Sequence, residues 1–574
     1  MNQEPSRRHA AWFLVSLGAV AAVVLATGLC VLAHPQLEPD DYRFLSLLQD
    51  LAAGRTTFWR AAVVENRWDH LWWVDTDAVV RFFRPTLIAS YWFDVTLFGA
   101  SPEALLRTNL ALHLLACGLV TALLFRLSGP GLSTAGAAVL FAAFACHCEV
   151  VWYVAGRNET LAAIGFLGAL LLHGAPSQRA RWRWLALPCF LVALLAKELV
   201  IALPLLCVLW DVQVSRRSCG VVDALRRDRW LWAGHAACIL GYAIARTAVL
   251  GSLAGDTVYP YFVAPGHPGF LAHLVTGVRN YVENLGLAQL TPPFLRPEQY
   301  AAVTSATGSL LVVAAIAATA WLLRAERRAW FTAALALLTW LPSSVVYISE
   351  RYVYLPSLAL AAWAALVVQR AAARLRPWLA LLLAAWCAHQ AYWAFQKDHD
   401  ISHRLREAQA LHELLATSPD TLRGARTVCL LDFPSNTVHA QFVQDQLRVE
   451  TGRPDLVVHV LTTLAPDGAR TGELGVTRID ERTIEVGAPG QLMKPDAMLF
   501  PGTPLTAGTV VARQRLPFRV EVVDGDGTAV RRLRFTFDRP LGDHTFVRWQ
   551  PVAPVAGPVP SHWLRHGRFT VLLP

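Results

Sequence analysis

The chain has 574 residues, of which 55% are hydrophobic and 16% are charged, and its formal net charge is +9 at pH 7. A soluble globular protein carries about a quarter of its residues as charged ones, so this composition excludes an ordinary soluble protein. A nucleic-acid binder is also disfavoured, because the basic residues are scattered in small groups between apolar runs instead of being concentrated on one face.

Ten apolar runs of about 20 residues predict helices that cross a membrane. In chain order, the runs are 11–33, 104–126, 132–148, 160–174, 185–211, 231–250, 302–323, 329–348, 353–370 and 378–395. We interpret the first run as an uncleaved span, because it is long for a signal peptide and no clear small-residue cleavage site follows it.

The run 185–211 is predicted to be broken. It has basic loops on both sides and carries Lys197 and Glu198 in its middle. The positive-inside rule places both loops in the cytoplasm, which requires the run to enter the membrane and return. Counting this run twice predicts a polytopic α-helical membrane protein of about eleven spans, with its N-terminus in the cytoplasm and its C-terminus outside.

Three longer segments then fall on the outer side. The loop 34–103 is rich in tryptophan and charge, and the segment 251–301 contains a stretch, 271–290, that predicts an amphipathic helix at the interface. The arginine-rich, lysine-poor composition is typical of a GC-rich bacterial genome. We therefore expect a multi-pass protein of the bacterial inner (plasma) membrane.

The C-terminal tail has ordinary soluble composition. It begins with a helical pattern over 404–415 and then alternates β-like runs with turns, at 427–431, 456–461, 518–523 and 531–537. The residues Asp524–Gly527 predict a hairpin turn. The chain is thus expected to divide into a membrane domain, 1–397, and an extracytoplasmic α+β domain, 398–574.

Ionisable residues within or beside membrane spans are costly, and they are functional candidates for that reason. Most of those in this chain map to the predicted outer face. They are Glu38, Asp40, Asp41, His147, Glu149, Arg157, Glu159, Lys197, Glu198, Glu350 and Arg351. Acids and cations from distant positions that meet at one depth predict a site there.

Structural alternatives compete with several of these assignments. The pair Asp40–Asp41 also fits a helix end, and "AGRNET" fits a surface turn. Arg351 also fits a snorkelling side chain, Arg84 a loop anchor, and His113 a packing histidine. The group Cys146–Glu149 has no second Cys/His pair at zinc spacing, so no metal site is predicted.

Five motifs carry a resemblance to a known family. In chain order they are "EPDDYRFL", "FRPTLIASYWFDVTLFGASPEALLRTNLALHLL", "VVWYVAGRNETLAAIGFLGALLL", "LLAKELVIALPLLCVLWD" and "ISERYVYLPSLAL". In this order and spacing they resemble the multispan type C (GT-C) glycosyltransferases. The nearest branch is that of the protein O-mannosyltransferase-like enzymes whose animal members carry tetratricopeptide repeats. The resemblance covers residues 10–397, and the α+β tail stands where the repeats are expected.

The resemblance implies that a hexose such as mannose moves, with inversion, from a polyprenyl-phosphate donor to a hydroxyl acceptor on the outer face. The family's acidic pair falls on Asp40 and Asp41, and we expect Asp40 to be the base and Asp41 to orient the acceptor or a neighbouring residue. The other predicted site residues bind the donor phosphate or support those that do. They are Arg84, His113, Arg157, Glu159, Lys197, Glu198 and Arg351.

The motifs are compatible with more than one acceptor and more than one function. The acceptor can be a protein, a glycolipid or a surface polymer, and a divalent metal is compatible with the motifs but not implied by them. A lipid or solute transporter (flippase) without transferase activity is the main alternative function, although no repeat of two related halves is visible. A membrane anchor that displays the tail for binding is the second alternative.

Overall fold

The computed structural model describes residues 4–74, 79–175, 177–215, 220–253, 261–288, 306–416, 425–433, 437–463, 474–493, 504–527, 529–551 and 567–573. The chain divides into two compact units. We call the first the helical unit: Met1–Pro35, Phe58–Val64 and Phe82–Ser402. We call the second the mixed unit: Gln36–Thr57, Glu65–Arg81 and His403–Pro574.

The α-helices are distributed along the whole chain. They are α1 (Glu4–Thr27), α2 (Leu29–Ala33), α3 (Asp41–Ala52), α4 (Phe58–Ala61), α5 (Pro85–Phe98), α6 (Pro102–Ser128), α7 (Leu132–Ala143), α8 (Cys148–Val151), α9 (Arg157–His173), α10 (Ala186–Ala196), α11 (Leu203–Leu209), α12 (Val221–Arg227), α13 (Arg229–Leu250), α14 (Phe270–Leu287), α15 (Ala306–Leu323), α16 (Arg327–Trp340), α17 (Tyr354–Arg370), α18 (Arg376–Ala416) and α19 (Thr437–Thr451).

The strands lie in the first loop and in the tail. They are β1 (Val63–Arg67), β2 (Val79–Phe83), β3 (Thr427–Leu431), β4 (Val457–Val460), β5 (Gly475–Arg478), β6 (Thr483–Gly487), β7 (Leu505–Thr506), β8 (Val510–Ala512), β9 (Phe518–Gly527), β10 (Val530–Phe537), β11 (Thr545–Pro551) and β12 (Gly567–Leu573). β1 and β2 pair with each other.

Each of the ten predicted apolar runs coincides with helical structure, which confirms a multi-pass α-helical membrane protein. In the part of the chain that the structure describes, four stretches are long and apolar enough to cross a membrane alone: Arg8–Thr27, Pro102–Ser128, Arg229–Leu250 and Glu350–Arg370. A fifth is formed by α7 and Ala145–Val151, which meet at a bend of 45°. The predicted number of about eleven is not confirmed among the described residues, because several of the other runs form short or interrupted helices.

The predicted break in the run 185–211 is present. α10 ends at Ala196, Lys197 has an extended backbone (φ −161°, ψ 130°), and a 3₁₀ turn over Glu198–Ala202 leads into α11. Pro204 lies in the first turn of α11, where a missing N–H has no cost. The return of this element to the same membrane face stays a prediction.

Close helix packing builds the core of the helical unit. α9 packs against α10 and α6, and α7 packs against α1 and α17. At Gly165 on α9 a Cβ atom would lie 2.7 Å from the carbonyl oxygen of Cys189 on α10. Small residues are typical of such contacts between membrane helices, because they let the backbones approach.

Two sheets form the centre of the mixed unit. The first has the strand order β5-β6-β10-β9-β7 with β8 also paired to β9, and the second has the order β12-β11-β3-β4. β3 runs parallel to β4 and to β11, and α19 makes the crossover from β3 to β4. Strands and helices together confirm the predicted α+β tail.

Two details of the tail differ from the prediction. β9 and β10 form the antiparallel hairpin that these runs predict, but Asp524–Gly527 still belong to β9, where Asp524 pairs with Arg532 and Gly525 with Val530. The predicted position of the turn at Asp524–Gly527 is therefore wrong. α18 continues through the predicted domain boundary at 397/398, and the mixed unit also takes in parts of the predicted loop 34–103.

Candidate functional site

Three cation–carboxylate pairs lie in the helical unit at the breaks between its helices. The pairs are Arg84–Glu198, Lys197–Glu159 and Arg351–Glu149. Each cation therefore has its own acid, and the three pairs together carry no net charge. Pairing of this kind is what allows ionised groups to persist at membrane depth.

Arg84 stands where β2 ends and α5 begins. Its backbone N–H donates to the carbonyl oxygen of Ala62 at 2.8 Å, which fixes the start of the helix. Both terminal nitrogens of the guanidinium point at the Glu198 carboxylate, with Nη2 3.3 Å from Oε1. This two-fold contact is the geometry that arginine forms with a carboxylate or a phosphate.

Lys197 owes its position to the break after α10. Its ammonium group donates to Glu159 and lies 4.4 Å from the centre of the Tyr352 ring. The lysine also interacts electrostatically with Arg84 and Arg351, so the three cations share one neighbourhood. A compact ammonium among two guanidinium groups suits an anion with several oxygens.

Arg351 lies in the 3₁₀ turn Glu350–Val353, directly before α17. Its Nε is 3.4 Å from Oε1 of Glu149, its backbone N–H donates to the same carboxylate, and its Nη2 donates to the Tyr347 hydroxyl at 2.8 Å. Its side chain is 20% exposed, and its Nη1 makes no hydrogen bond among the described residues. Arg351 is therefore the cation of the three that is best placed to accept a further ligand.

An aromatic cluster connects the cations. The rings of Tyr261 and Tyr347 are 4.6 Å apart, and those of Tyr347 and Tyr352 are 5.5 Å apart. Phe82 extends the cluster from Tyr261 to the guanidinium of Arg84, which lies 5.1 Å from its ring centre. The residues Tyr261, Tyr347 and Tyr352 were not predicted. Only the local wealth of tyrosine in "YPYFV" and "VVYISERYVY" signals them.

A second carboxylate–lysine pair supports the same turn. Glu350, the neighbour of Arg351, is buried and accepts a hydrogen bond from Lys397 on α18. Asp398, the next residue on that helix, accepts from the backbone N–H groups of Cys30 and Val31 at 2.8 and 3.3 Å. Glu350 thus has a structural partner of its own.

Arg157 does not join this cluster through any contact. Its side chain is 0% exposed and is surrounded by α5 and α6. It pairs with Asp94 at 2.7 Å and donates to Asn109 at 2.5 Å and to the carbonyl oxygen of Leu105 at 2.9 Å. The predicted role in binding phosphate does not fit this environment, because every nitrogen of the guanidinium already has a protein partner.

His113 is buried inside the helical unit. Its Nδ1 lies 2.8 Å from the hydroxyl of Tyr354, and its ring packs against those of Tyr354 and His147. His147 in turn is 2.9 Å from the hydroxyl of Ser357. These contacts place His113 under the first turn of α17, as a packing residue that touches the helix following Arg351.

The acidic pair lies in the mixed unit. Asp40 is the N-cap residue of α3 and is half-buried, whereas Asp41 is 2% exposed. The Asp41 carboxylate accepts from the backbone N–H of Glu38 at 3.0 Å, so it closes the turn that precedes the helix. Next to it, burial and the nearby Glu450 raise the pKa of the Tyr42 hydroxyl far above its usual value.

An apolar groove of about 680 Å³ runs between α14, α15, α16, α17 and α18. A smaller cavity of about 30 Å³ adjoins it. This cavity shares Tyr281 and Trp340 with the groove, and Tyr347 and Tyr352 with the aromatic cluster. The smaller cavity therefore shares walls with both the groove and the tyrosine cluster.

No cluster of three or more His, Cys, Asp or Glu side chains able to hold a metal ion occurs in the part of the chain that the structure describes. The carboxylates of the three pairs each face a cation instead. The absence of a resident metal stays a prediction.

Two curated proteins of Drosophila melanogaster are similar in sequence to this chain. Protein O-mannosyl-transferase Tmtc3 is 31% identical over 163 residues, a match that covers 23% of this chain and 18% of that protein. Protein O-mannosyl-transferase Tmtc2 is 31% identical over 199 residues, covering 33% of this chain and 20% of that protein. The chain thus matches about a fifth of each relative's length, and the predicted resemblance to this branch is confirmed.

Two solved structures of one protein are similar in fold to this chain. ArnT from Cupriavidus metallidurans bound to undecaprenyl phosphate superposes with a TM-score of 0.44 at 15% identity, covering 91% of this chain and 97% of that one. The apo state of the same protein gives a TM-score of 0.44 at 16% identity, covering 79% and 90%. No protein-family model matches the chain.

Proposed function

We propose that this multi-pass membrane protein is a glycosyltransferase that moves a hexose, such as mannose, from a polyprenyl-phosphate donor to a hydroxyl acceptor. The partial similarity to two protein O-mannosyl-transferases supports the reaction class. The acceptor hydroxyl belongs to a protein, a glycolipid or a surface polymer.

The observation that carries the proposal is the cation cluster beside the apolar groove. A lipid-linked sugar needs a cationic site for its phosphate and an apolar surface for its tail. Arg84, Lys197 and Arg351 supply the first, and the groove lined by Trp340, Trp363 and Trp386 supplies the second. No water-soluble nucleotide donor is required by this arrangement.

In the proposed step, the acceptor oxygen forms a bond to the anomeric carbon while the bond from that carbon to the phosphate oxygen breaks. Asp40 takes the acceptor proton, and Asp41 holds the turn that presents Asp40. The electron pair of the broken bond leaves with the polyprenyl phosphate, whose charge is stabilised by Arg351 and Lys197. A single displacement of this kind inverts the anomeric carbon.

The test uses membranes from cells that express the full chain and radiolabelled polyprenyl-phosphate mannose. We expect Asp40→Asn to lower the turnover at saturating donor by about 100–10,000-fold, the usual contribution of a general base. Lys197→Ala is expected to lower the turnover and also to raise the donor KM, because a contact with the donor phosphate is lost. Asp223→Asn on α12, far along the chain from these motifs, is the matched control and should change neither quantity.

Full turnover in Asp40→Asn at a normal protein level would overturn the base assignment. If wild-type membranes formed no mannosylated product but moved the labelled lipid between leaflets, the transferase proposal would fail in favour of a flippase. Formation of a product with retained anomeric configuration would contradict the single displacement while leaving the transferase class intact.

A further inference from the structure

The mixed unit joins the predicted acidic loop to the C-terminal domain. It contains Gln36–Thr57 and Glu65–Arg81 from the first loop together with the whole tail from His403. These loop segments lie more than 300 positions away from the tail in sequence. The joint unit therefore has to be held by contacts between loop and tail.

The first set of contacts fixes α3 against α19. Arg43 donates to both carboxylate oxygens of Asp445 at 3.3 Å, and Gln49 donates to the carbonyl oxygen of Val449 at 3.4 Å. Tyr42 lies near Glu450 of the same helix. Asp445 and Val449 are four residues apart and so lie on one face of α19. Arg43 and Gln49 of α3 are both held by this face.

The second set fixes the segment Glu65–Arg81. Trp72 is 0% exposed, donates from Nε1 to the carbonyl oxygen of Leu461 at 2.8 Å, and packs edge-to-face on Phe535 of β10 at 5.8 Å. Asp69 pairs with Arg515 of the tail at 3.2 Å. A fully buried tryptophan makes this an interior contact of one folded body, unlike a transient surface encounter.

We propose that the C-terminal domain is a positioning element for the acidic pair: through α19 it fixes the direction of α3 and so the place of Asp40 at its first turn. The inference rests on the proposed function of Asp40 and extends it to the tail. Residues Arg43 and Asp445 act through Asp40 and touch no reacting atom, so they are positioning residues.

The size of the effect follows from what a base requires. A displacement of about 1 Å in a catalytic group costs on the order of 100-fold in rate, even when the mutation is remote. The side chain of Arg43 is 23% exposed, whereas that of Asp445 is 7% exposed. Removing Arg43 leaves a buried carboxylate without its cation, whereas Asp445→Ala leaves no buried charge. A loss of turnover in Asp445→Ala at a normal protein level therefore separates positioning from folding.

The experiment uses the full chain in membranes, with radiolabelled polyprenyl-phosphate mannose as the donor. We expect Arg43→Ala and Asp445→Ala each to lower kcat by about 10–100-fold with an unchanged donor KM. The charge swap, Arg43→Asp together with Asp445→Arg, should recover most of the loss. Arg534→Gln, which removes the half-exposed pairs of this β10 residue with Glu485 on β6 and Glu521 on β9, is the matched control and should be silent.

Amide hydrogen exchange of the purified full chain provides a readout independent of activity. Exchange over Asp41–Ala52 should accelerate in both single variants, return towards wild type in the swap, and stay unchanged in Arg534→Gln. Acceleration accompanied by full kcat would overturn the positioning role, because Asp40 would then work without a fixed α3. Unaltered exchange in the single variants would overturn it as well.

The two proposals fail differently. If Asp40→Asn abolishes turnover while the Arg43 and Asp445 variants keep it, only the positioning role is lost. If Asp40→Asn keeps full turnover, the base assignment is lost, and the positioning role of the tail is lost with it.

Discussion

The helical unit contains two arginines, Arg157 and Arg351, that belong to separate sequence motifs of the same predicted site, and their surroundings are opposite. Arg157 is fully enclosed between α5 and α6, with Asp94, Asn109 and a backbone carbonyl as partners. Arg351 is one-fifth exposed beside the tyrosine cluster and retains a nitrogen with no hydrogen bond among the described residues. A buried cation whose nitrogens all have protein partners stabilises the fold. One that keeps a nitrogen without a hydrogen bond is available to a ligand.

This difference limits a general rule. Ionisable groups at membrane depth are functional candidates because their burial is costly. The same cost is met at Arg157 by a paired acid and hydrogen bonds that join α9 to α5 and α6. We therefore expect mutation of Arg157 to lower the stability of the protein and mutation of Arg351 to lower its activity.

Replacing Arg157 is expected to have the largest effect. Arg157→Met leaves Asp94 buried without its partner, which typically costs about 3–5 kcal/mol. We expect a collapse of the folded fraction, measured as the thermal unfolding midpoint in detergent and as the protein level in membranes. Arg226→Gln, an exposed arginine on α12, is the control.

The double variant Arg157→Met with Asp94→Asn should regain part of the lost stability, since the unpaired carboxylate causes most of the penalty. If Arg157→Met were normally stable but had lost donor turnover, Arg157 would be a residue of the donor site and not a structural residue.

Replacing Arg351 should have the second largest effect, and mainly on activity. Arg351→Ala removes the most accessible cation, and loss of one such electrostatic contact typically lowers kcat by about 100–1,000-fold. Arg351→Lys should retain part of the rate, because a lysine supplies charge without the two-pronged geometry. The unfolding midpoint should fall less than in Arg157→Met, because Glu149 keeps the Ser349 hydroxyl and a backbone N–H as hydrogen-bond donors. A large drop in that midpoint would place Arg351 in the same structural class as Arg157.

Much of the fold could be predicted from local patterns. Each apolar run found by hydropathy coincides with helical structure, although α3, α5 and α19 were not predicted. The charged pair Lys197–Glu198 in an apolar stretch predicted the break that the backbone shows. The strand at Thr427–Leu431 was predicted to the residue. Span number was harder, because a 3₁₀ turn or a bend within an apolar run leaves its mean hydropathy unchanged.

The site was predicted less completely, because its geometry depends on long-range contacts. The sequence places Arg157 and Arg351 in equivalent charged motifs, and nothing local reveals that Asp94 and Asn109 saturate one of them. Pairing of Arg84 with Glu198 spans 114 positions. The burial of Trp72 in the tail's own unit is equally invisible in its sequence neighbourhood.

Gly156 offers a smaller test, because it lies in the turn that joins Glu149, the partner of Arg351, to Arg157. A Cβ atom there would stand 2.7 Å from the carbonyl oxygen of Glu149 and 2.8 Å from that of Val150. Gly156→Ala should therefore cost about 1–3 kcal/mol of stability through overpacking. Gly241→Ala on α13, where a Cβ meets nothing within 4 Å, is the matched control and should not destabilise. An unchanged unfolding midpoint in Gly156→Ala would mean that the turn has room to move.

Replacing His113 should give the smallest effect. The result shows whether His113 is a structural residue, like Arg157, or supports the donor, like Arg351. His113→Gln and Tyr354→Phe each remove one partner of the 2.8 Å contact beneath α17, a loss worth about 1 kcal/mol for a typical hydrogen bond. Because neither group reaches the tyrosine cluster through a contact, we expect donor turnover to fall by less than about 5-fold, the factor that corresponds to that energy. A double-mutant cycle on the unfolding midpoint should show the two losses to be coupled, since the residues share one bond. Turnover reduced 100-fold in His113→Gln, with the midpoint unchanged, would instead place His113 beside Arg351 as a residue that supports the donor.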